Sequence, residues 1–105
     1  ASASLVNESL HAAPTTYLKS RLKRAADAGA SEAQYTYGKM LQSGTGVEAD
    51  PSLAVVYFGQ GAAAGDIYSV FSLGKALYDG KGVLRDVYRA RDLVASVALL
   101  IRIHG

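Results

Sequence analysis

A chain of 105 residues, half of them hydrophobic, is long enough for one domain with a core of its own. It has no cysteine, which excludes disulfides and leaves the redox compartment open, and no apolar run near the roughly 20 residues of a membrane span. The net charge of +2 hides an uneven layout, +3 over residues 1–26, −4 over 27–79 and +3 over 80–105, which argues against a uniform nucleic-acid-binding face.

The chain starts Ala1-Ser2-Ala3-Ser4 without methionine and is expected to be processed at its N-terminus. Residues 1–13 form an arm with Leu5, Val6 and Leu10 as its sizeable apolar groups, read as frayed or as a short helix packed on the first repeat. A helix starts at Pro14, which suits a first turn. Leu18, Leu22 and Ala25 make its apolar face, and Lys19, Arg21, Lys23 and Arg24 decorate the rest as a basic patch. Gly29 ends it as a left-handed cap.

The next helix is expected from Ser31, with Gln34 three residues on as a weak capping box. Ala33, Tyr37 and Leu41 form its buried stripe. Gly38 sits inside it, where glycine costs about 1 kcal/mol relative to alanine, so a close approach of two helix backbones is expected there. Gly44 then stops the helix, Gly46 takes positive φ in the turn and Val47 drops into the core. Asp50-Pro51 starts a helix that buries Ala54, Tyr57, Phe58 and Gly61. Asp66 caps a helix through Asp79, with Ser69, Leu73 and Leu77 inside. Gly80-Lys81-Gly82-Val83 repeats the glycine turn, and Asp86 caps a last helix carrying Ala90, Leu93, Val94, Val97 and Ile101.

Much of this occurs twice. A shift of thirty-six residues places Ala26, Gly29, Gly38, Lys39 and Leu41 on Ala62, Gly65, Gly74, Lys75 and Leu77. It also places Gly44, Gly46, Val47, Asp50 and Ala54 on Gly80, Gly82, Val83, Asp86 and Ala90. A fixed period in the range of about 20–50 residues marks a repeat array. The two registers run from Ala25-Ala26-Asp27-Ala28-Gly29 through Gly44-Thr45-Gly46-Val47 to Asp50, and from Ala62-Ala63-Ala64-Gly65 through Gly80-Lys81-Gly82-Val83 to Asp86.

That pattern resembles the Sel-one-like repeat family, relatives of tetratricopeptide repeats, over roughly residues 14–100. The resemblance implies an all-α, right-handed α-solenoid, here of about two and a half antiparallel helix pairs, acting as an adaptor or scaffold. The divisions expected are an arm over 1–13, a half repeat over 14–29 and repeats over 30–65 and 66–105. One departure is plain: Tyr57-Phe58 in the first repeat becomes Leu93-Val94 in the second.

Candidate chemistry is sparse. The Gly-x-Gly turns follow helices and lack a third glycine, so they read as turns rather than phosphate cradles. His11 and His104 stand alone, and neither a metal site nor a cofactor is expected. Asp79 and Asp92 read as surface acids without a partner base, and no nucleophile–base–acid set stands out. The resemblance implies that the first helix of each pair lines the inner face. Glu32, Tyr35, Lys39 and Gln42, with Tyr68, Phe71, Lys75 and Tyr78, are then a partner groove in which Phe71 and Tyr78 anchor and the lysines meet acids.

Leu93 to Ile101 is apolar on nearly every side except at Ser96. Leu93, Val97 and Leu100 are expected to face the preceding pair, leaving Leu99 and Ile101 or Val94 for an outside surface. The residues together read as a non-enzymatic protein–protein interaction scaffold, an accessory subunit of a larger assembly, with protein partners and neither nucleic acid nor a small-molecule substrate. The alternative is a peripheral subunit of a membrane complex, organellar and energy-transducing included. It would touch anionic lipid or an acidic partner through residues 19–24.

Overall fold

The structure, a computed structural model, describes residues 14–104. The expected N-terminal arm, with Leu5, Val6, Leu10 and His11, lies outside the described residues. Five helices follow one another: α1 (Pro14–Asp27), α2 (Ser31–Ser43), α3 (Pro51–Ala63), α4 (Ile67–Asp79) and α5 (Val87–His104). No strand occurs among the described residues. Each helix packs mainly on its sequence neighbours, and α2 also touches α4, so the chain is an α-solenoid rather than a closed bundle.

The local chemistry fixes the helix ends. Asp50, Asp66 and Asp86 accept backbone N–H bonds from Leu53, Ser69 and Arg89 at 3.1, 2.8 and 3.0 Å. Gly44 and Gly80 close α2 and α4 in the left-handed conformation, donating their N–H to the Met40 and Ala76 carbonyls. The capping box expected at Ser31 does not form. Ala30 occupies the N-cap position without a side-chain bond, and Gln34 is buried with its Nε2 donating to the Ala26 carbonyl at 3.1 Å. A buried carbonyl eight residues back outcompetes the exposed local amide, because an unpaired polar group costs more inside than outside.

The core runs through Ala26, Tyr37, Leu41, Ala54, Tyr57, Phe58, Leu73, Leu77 and Ala90, with Tyr37 and Tyr57 edge to face at 5.0 Å. Gly38 departs from expectation. What stands nearest to it is not a second backbone but the Phe58 ring, 2.6–3.2 Å from where a Cβ would stand. At Gly74 a Cβ would meet only a Val94 methyl at 3.5 Å and the Ala90 carbonyl at 3.6 Å, which is ordinary contact. Leu18 also differs from expectation: it is exposed, and α1 joins the core through Leu22, Ala25 and Ala26.

One tie across the solenoid has no repeat counterpart. Tyr57 Oη donates to Asp27 Oδ1 at 2.7 Å, and Lys23 Nζ donates to Asp27 Oδ2 at 2.7 Å, linking α1 to α3. Burial first, then the Asp27 bond, pushes the Tyr57 phenol up to about 12. Lys23, then Tyr57, holds the Asp27 carboxyl below its ordinary value. Since the folded Tyr57 keeps its proton where the unfolded chain loses it, its contribution to stability is complete below about pH 10 and is lost as pH rises toward 12. The Asp27 contribution has the opposite sense, present above about pH 4 and lost as pH falls through its lowered folded value. Tyr57→Phe should therefore flatten the alkaline loss of stability, measured by urea unfolding at several pH values. It should also remove one late-titrating phenol from the ultraviolet titration. Identical alkaline slopes in the two proteins would refute the tie.

Candidate interaction surface

The most developed concave surface lies between α4 and α5. Phe71, Lys75 and Tyr78 recur at spacings of four and three along α4, and Val87, Arg91, Val94 and Ala98 do the same along α5. The groove they form with Gly74, Asp79, Ala90 and Ala95 encloses about 780 Å³ and is largely apolar. Phe71 and Tyr78 are exposed at its edge, 45% and 58%.

The charges at this surface are partly spoken for. Lys75 Nζ lies 2.9 Å from Asp79 Oδ2, an exposed pair one helical turn apart. Arg91 reaches Asp92 at 3.5 Å and sets its guanidinium 5.6 Å from the Tyr88 ring. Asp79 and Asp92, expected as acids without a partner base, are thus both paired, because helical spacing or adjacency brings a base to each. Arg85 lies 5.6 Å from the Tyr78 ring while its Nε donates to the Tyr78 carbonyl at 2.9 Å, steadying that aromatic.

The other residues of the expected groove do not join this one. Tyr35 is half-buried, 6.3 Å from the Phe58 ring and 5.5 Å from Tyr68, and shares with Glu32, Asp66 and Tyr68 a separate cleft of about 500 Å³. Lys39 Nζ leans on Gln42 Oε1 at 3.4 Å, and both residues lie outside the two clefts. The aromatic anchors of the two repeats therefore sit in different surroundings, since Phe58 fills the first repeat and nothing comparable fills the second.

The basic patch of α1 is divided. Lys23 is held by Asp27 at 2.7 Å. Arg21 bonds the Tyr17 hydroxyl at 2.8 Å and lies over that ring, sharing a cleft with Arg24. Lys19 faces elsewhere, toward Tyr37, Val47 and Glu48. At the far end, Leu99 and Ile101 are exposed as expected, and so are Val94, Leu100 and Ile103. Leu100, expected to face the preceding pair, stays outside because α5 has 18 residues against 13 in α4, and its end runs past the helix it packs on. The extension has a sequence cause: Ile101 stands where the repeat register has Gly65, whose φ of 86° turns the chain.

Five helices among the described residues, stacked at a thirty-six-residue period, define a helical-repeat protein. The Sel1 repeat model matches residues 31–66 and 67–94, and the chain belongs to the Sel1 repeat family. Among solved structures it is 34% identical to c5321, a protective antigen present in uropathogenic Escherichia coli strains displaying an SLR fold. That match has a TM-score of 0.73 over 75% of this chain and 17% of that one. It shares its fold with Helicobacter pylori cysteine rich protein B at 22% identity and a TM-score of 0.76, over 81% of this chain and 64% of that one. The chain thus spans under a fifth of the first of these proteins and just under two thirds of the second. Sel1-repeat proteins generally mediate protein–protein interactions and are typically non-enzymatic.

Proposed function

We propose that this chain is a non-enzymatic interaction module, a scaffold or adaptor within a larger assembly, and that it binds its protein partner through the α4–α5 groove. The observation that carries the reading is the pair of exposed aromatics, Phe71 and Tyr78, at the edge of a largely apolar groove. Exposed rings beside apolar ground bury large area at small entropic cost, which is how interface anchors work. The bases of α1 support the lipid reading less, since Lys23 is held by Asp27 and Lys19 lines a different cleft from Arg21 and Arg24.

The test is selection of peptide ligands against the full chain from a displayed library, followed by calorimetry. Phe71→Ala combined with Tyr78→Ala should weaken the selected ligands by about 2 kcal/mol or more, roughly thirtyfold, while circular dichroism stays unchanged. Unchanged affinity in a folded double variant would remove the groove as the binding surface.

A further inference from the structure

We infer that the slot of the α4–α5 groove lined by Gly74 and Val94 is a receptor for an aromatic side chain carried by an acidic partner peptide. The inference rests on the reading of the chain as a protein-binding module and names the ligand chemistry of its groove.

The template for the ligand is inside the protein. The repeat register places Gly38 on Gly74, Phe58 on Val94 and Tyr35 on Phe71. In the first repeat the Phe58 ring lies in the slot over Gly38, fully buried, with Tyr35 6.3 Å away as its aromatic neighbour. In the second repeat the glycine and the aromatic neighbour are both present, but the ring is gone. Val94 puts only a methyl over Gly74, 3.5 Å from where a Cβ would stand, and is itself 41% exposed, so the groove beside it is less filled than in the first repeat. Gly74 is not needed to fit the protein's own atoms, since a Cβ there would make only ordinary contacts at 3.5 and 3.6 Å. A helix-interior glycine, unfavourable relative to alanine, that relieves no internal clash keeps the slot deep. What fits that depth in the first repeat is a six-membered ring beside another ring.

A further repeat packed as α4 packs on α3 does not suit this surface. There, Ser69 seats against Gly61, and a Cβ on Gly61 would collide with that serine. The register replaces Gly61 with Val97, and the turn glycine Gly65 with Ile101. The seat for a first helix is therefore altered at two positions, while the slot for a ring remains. Charge narrows the occupant. Lys75 and Arg91 line the groove, Arg85 stands behind Tyr78, and Arg102 falls one turn beyond Ala98. Lys75 is paired with Asp79 and Arg91 with Asp92, so the excess of positive charge comes from Arg85 and Arg102. An aromatic residue flanked by carboxylates matches apolar floor and basic rim together.

The probe is the acetylated, amidated tripeptide Glu-Phe-Asp, with Glu-Ala-Asp as its control, titrated into the nitrogen-labelled full chain and followed by amide chemical shifts. Glu-Phe-Asp should move the amides of Gly74, Val94 and Ala98, and replacing its Phe should weaken binding at least about tenfold. Val94→Phe, which refills the slot from within, should also weaken it at least about tenfold while raising the thermal midpoint, as filling an open groove with apolar volume does. If Val94→Phe does not fold, Gly74→Ala is the second variant: its Cβ has room, so the fold persists and the shallower slot binds more weakly. Arg91→Gln should cost about threefold, a difference that shrinks at high salt. Absence of shifts at the slot, or equal binding by the Phe and Ala peptides, overturns the proposal. So does a dimer of the chain that Val94→Phe splits, because a second copy would then be the occupant. Selected ligands that need Phe71 and Tyr78 but ignore Val94→Phe would leave the interaction module standing and remove the slot. Slot binding of Glu-Phe-Asp without any selected protein ligand would do the reverse.

Discussion

Phe58→Ala should lower the stability of the chain by about 3–5 kcal/mol, the largest loss expected from any single truncation in it. Phe58 is the largest of the fully buried side chains. Its ring occupies the space opened by Gly38 and touches the Tyr35 ring, so α2 and α3 meet through it. Neither neighbour can fill the gap: Gly38 has no side chain to extend, and Tyr35 is engaged with Tyr68 on its other side. A domain of this size has roughly 5–15 kcal/mol in total, so the variant should unfold at much lower urea concentration and melt some 15 °C or more below the parent. Val94→Ala at the matching position of the second repeat should cost no more than about 1 kcal/mol, because Val94 is already part-exposed. Urea unfolding followed by circular dichroism checks both. A loss under about 2 kcal/mol for Phe58→Ala would mean that the slot over Gly38 collapses when emptied, and equal losses at the two positions would mean that the repeats pack alike.

How far the sequence can be read depends on the range of each interaction. The starts of α3, α4 and α5 are legible because a carboxylate caps amides three residues on, and Asp50, Asp66 and Asp86 do so. The long α5 is visible in the loss of a turn glycine at Ile101. Gln34 misleads because its best acceptor, the Ala26 carbonyl, belongs to the preceding helix, and spacing alone does not rank a local acceptor against a buried one. Gly38 and Gly74 signal a close approach without saying what approaches; one meets a ring, and the other a Val94 methyl and the Ala90 backbone carbonyl in ordinary contact. Asp27 and Tyr57 are thirty residues apart with no counterpart in the period, so no pattern joins them. The change from Phe58 to Val94 is plain in the sequence, but whether a missing ring leaves a groove depends on how far the helices close over it. For the same reason Tyr35 and Phe71, equivalent in sequence, stand in different clefts.

Gly82→Ala should cost about 3 kcal/mol or more, well above the effect of the same change at Gly65. Both glycines hold positive φ, 77° and 86°, where an alanine is strained by about 1–2 kcal/mol. Around Gly65 there is nothing within 4 Å of an added Cβ, so strain is the whole effect. At Gly82 the added Cβ would run into the Pro51 carbonyl group and come within 2.8 Å of the Ser52 nitrogen. These are backbone atoms at the start of α3, where the proline fixes φ and the Asp50 cap holds the first turn. They cannot swing aside as a side-chain end would. Relief requires the α4–α5 turn to lift from α3, and that turn is one of the places where the second helix pair rests on the first. The substitution should therefore lower the melting temperature by at least twice the shift seen for Gly65→Ala, and should raise hydrogen exchange first in α4 and α5. It also separates the two meanings of a Gly-x-Gly sequence. A phosphate cradle would lose anion binding with its stability intact, whereas a packing joint loses stability. Equal melting shifts for Gly82→Ala and Gly65→Ala would show that this turn is not a joint between the pairs.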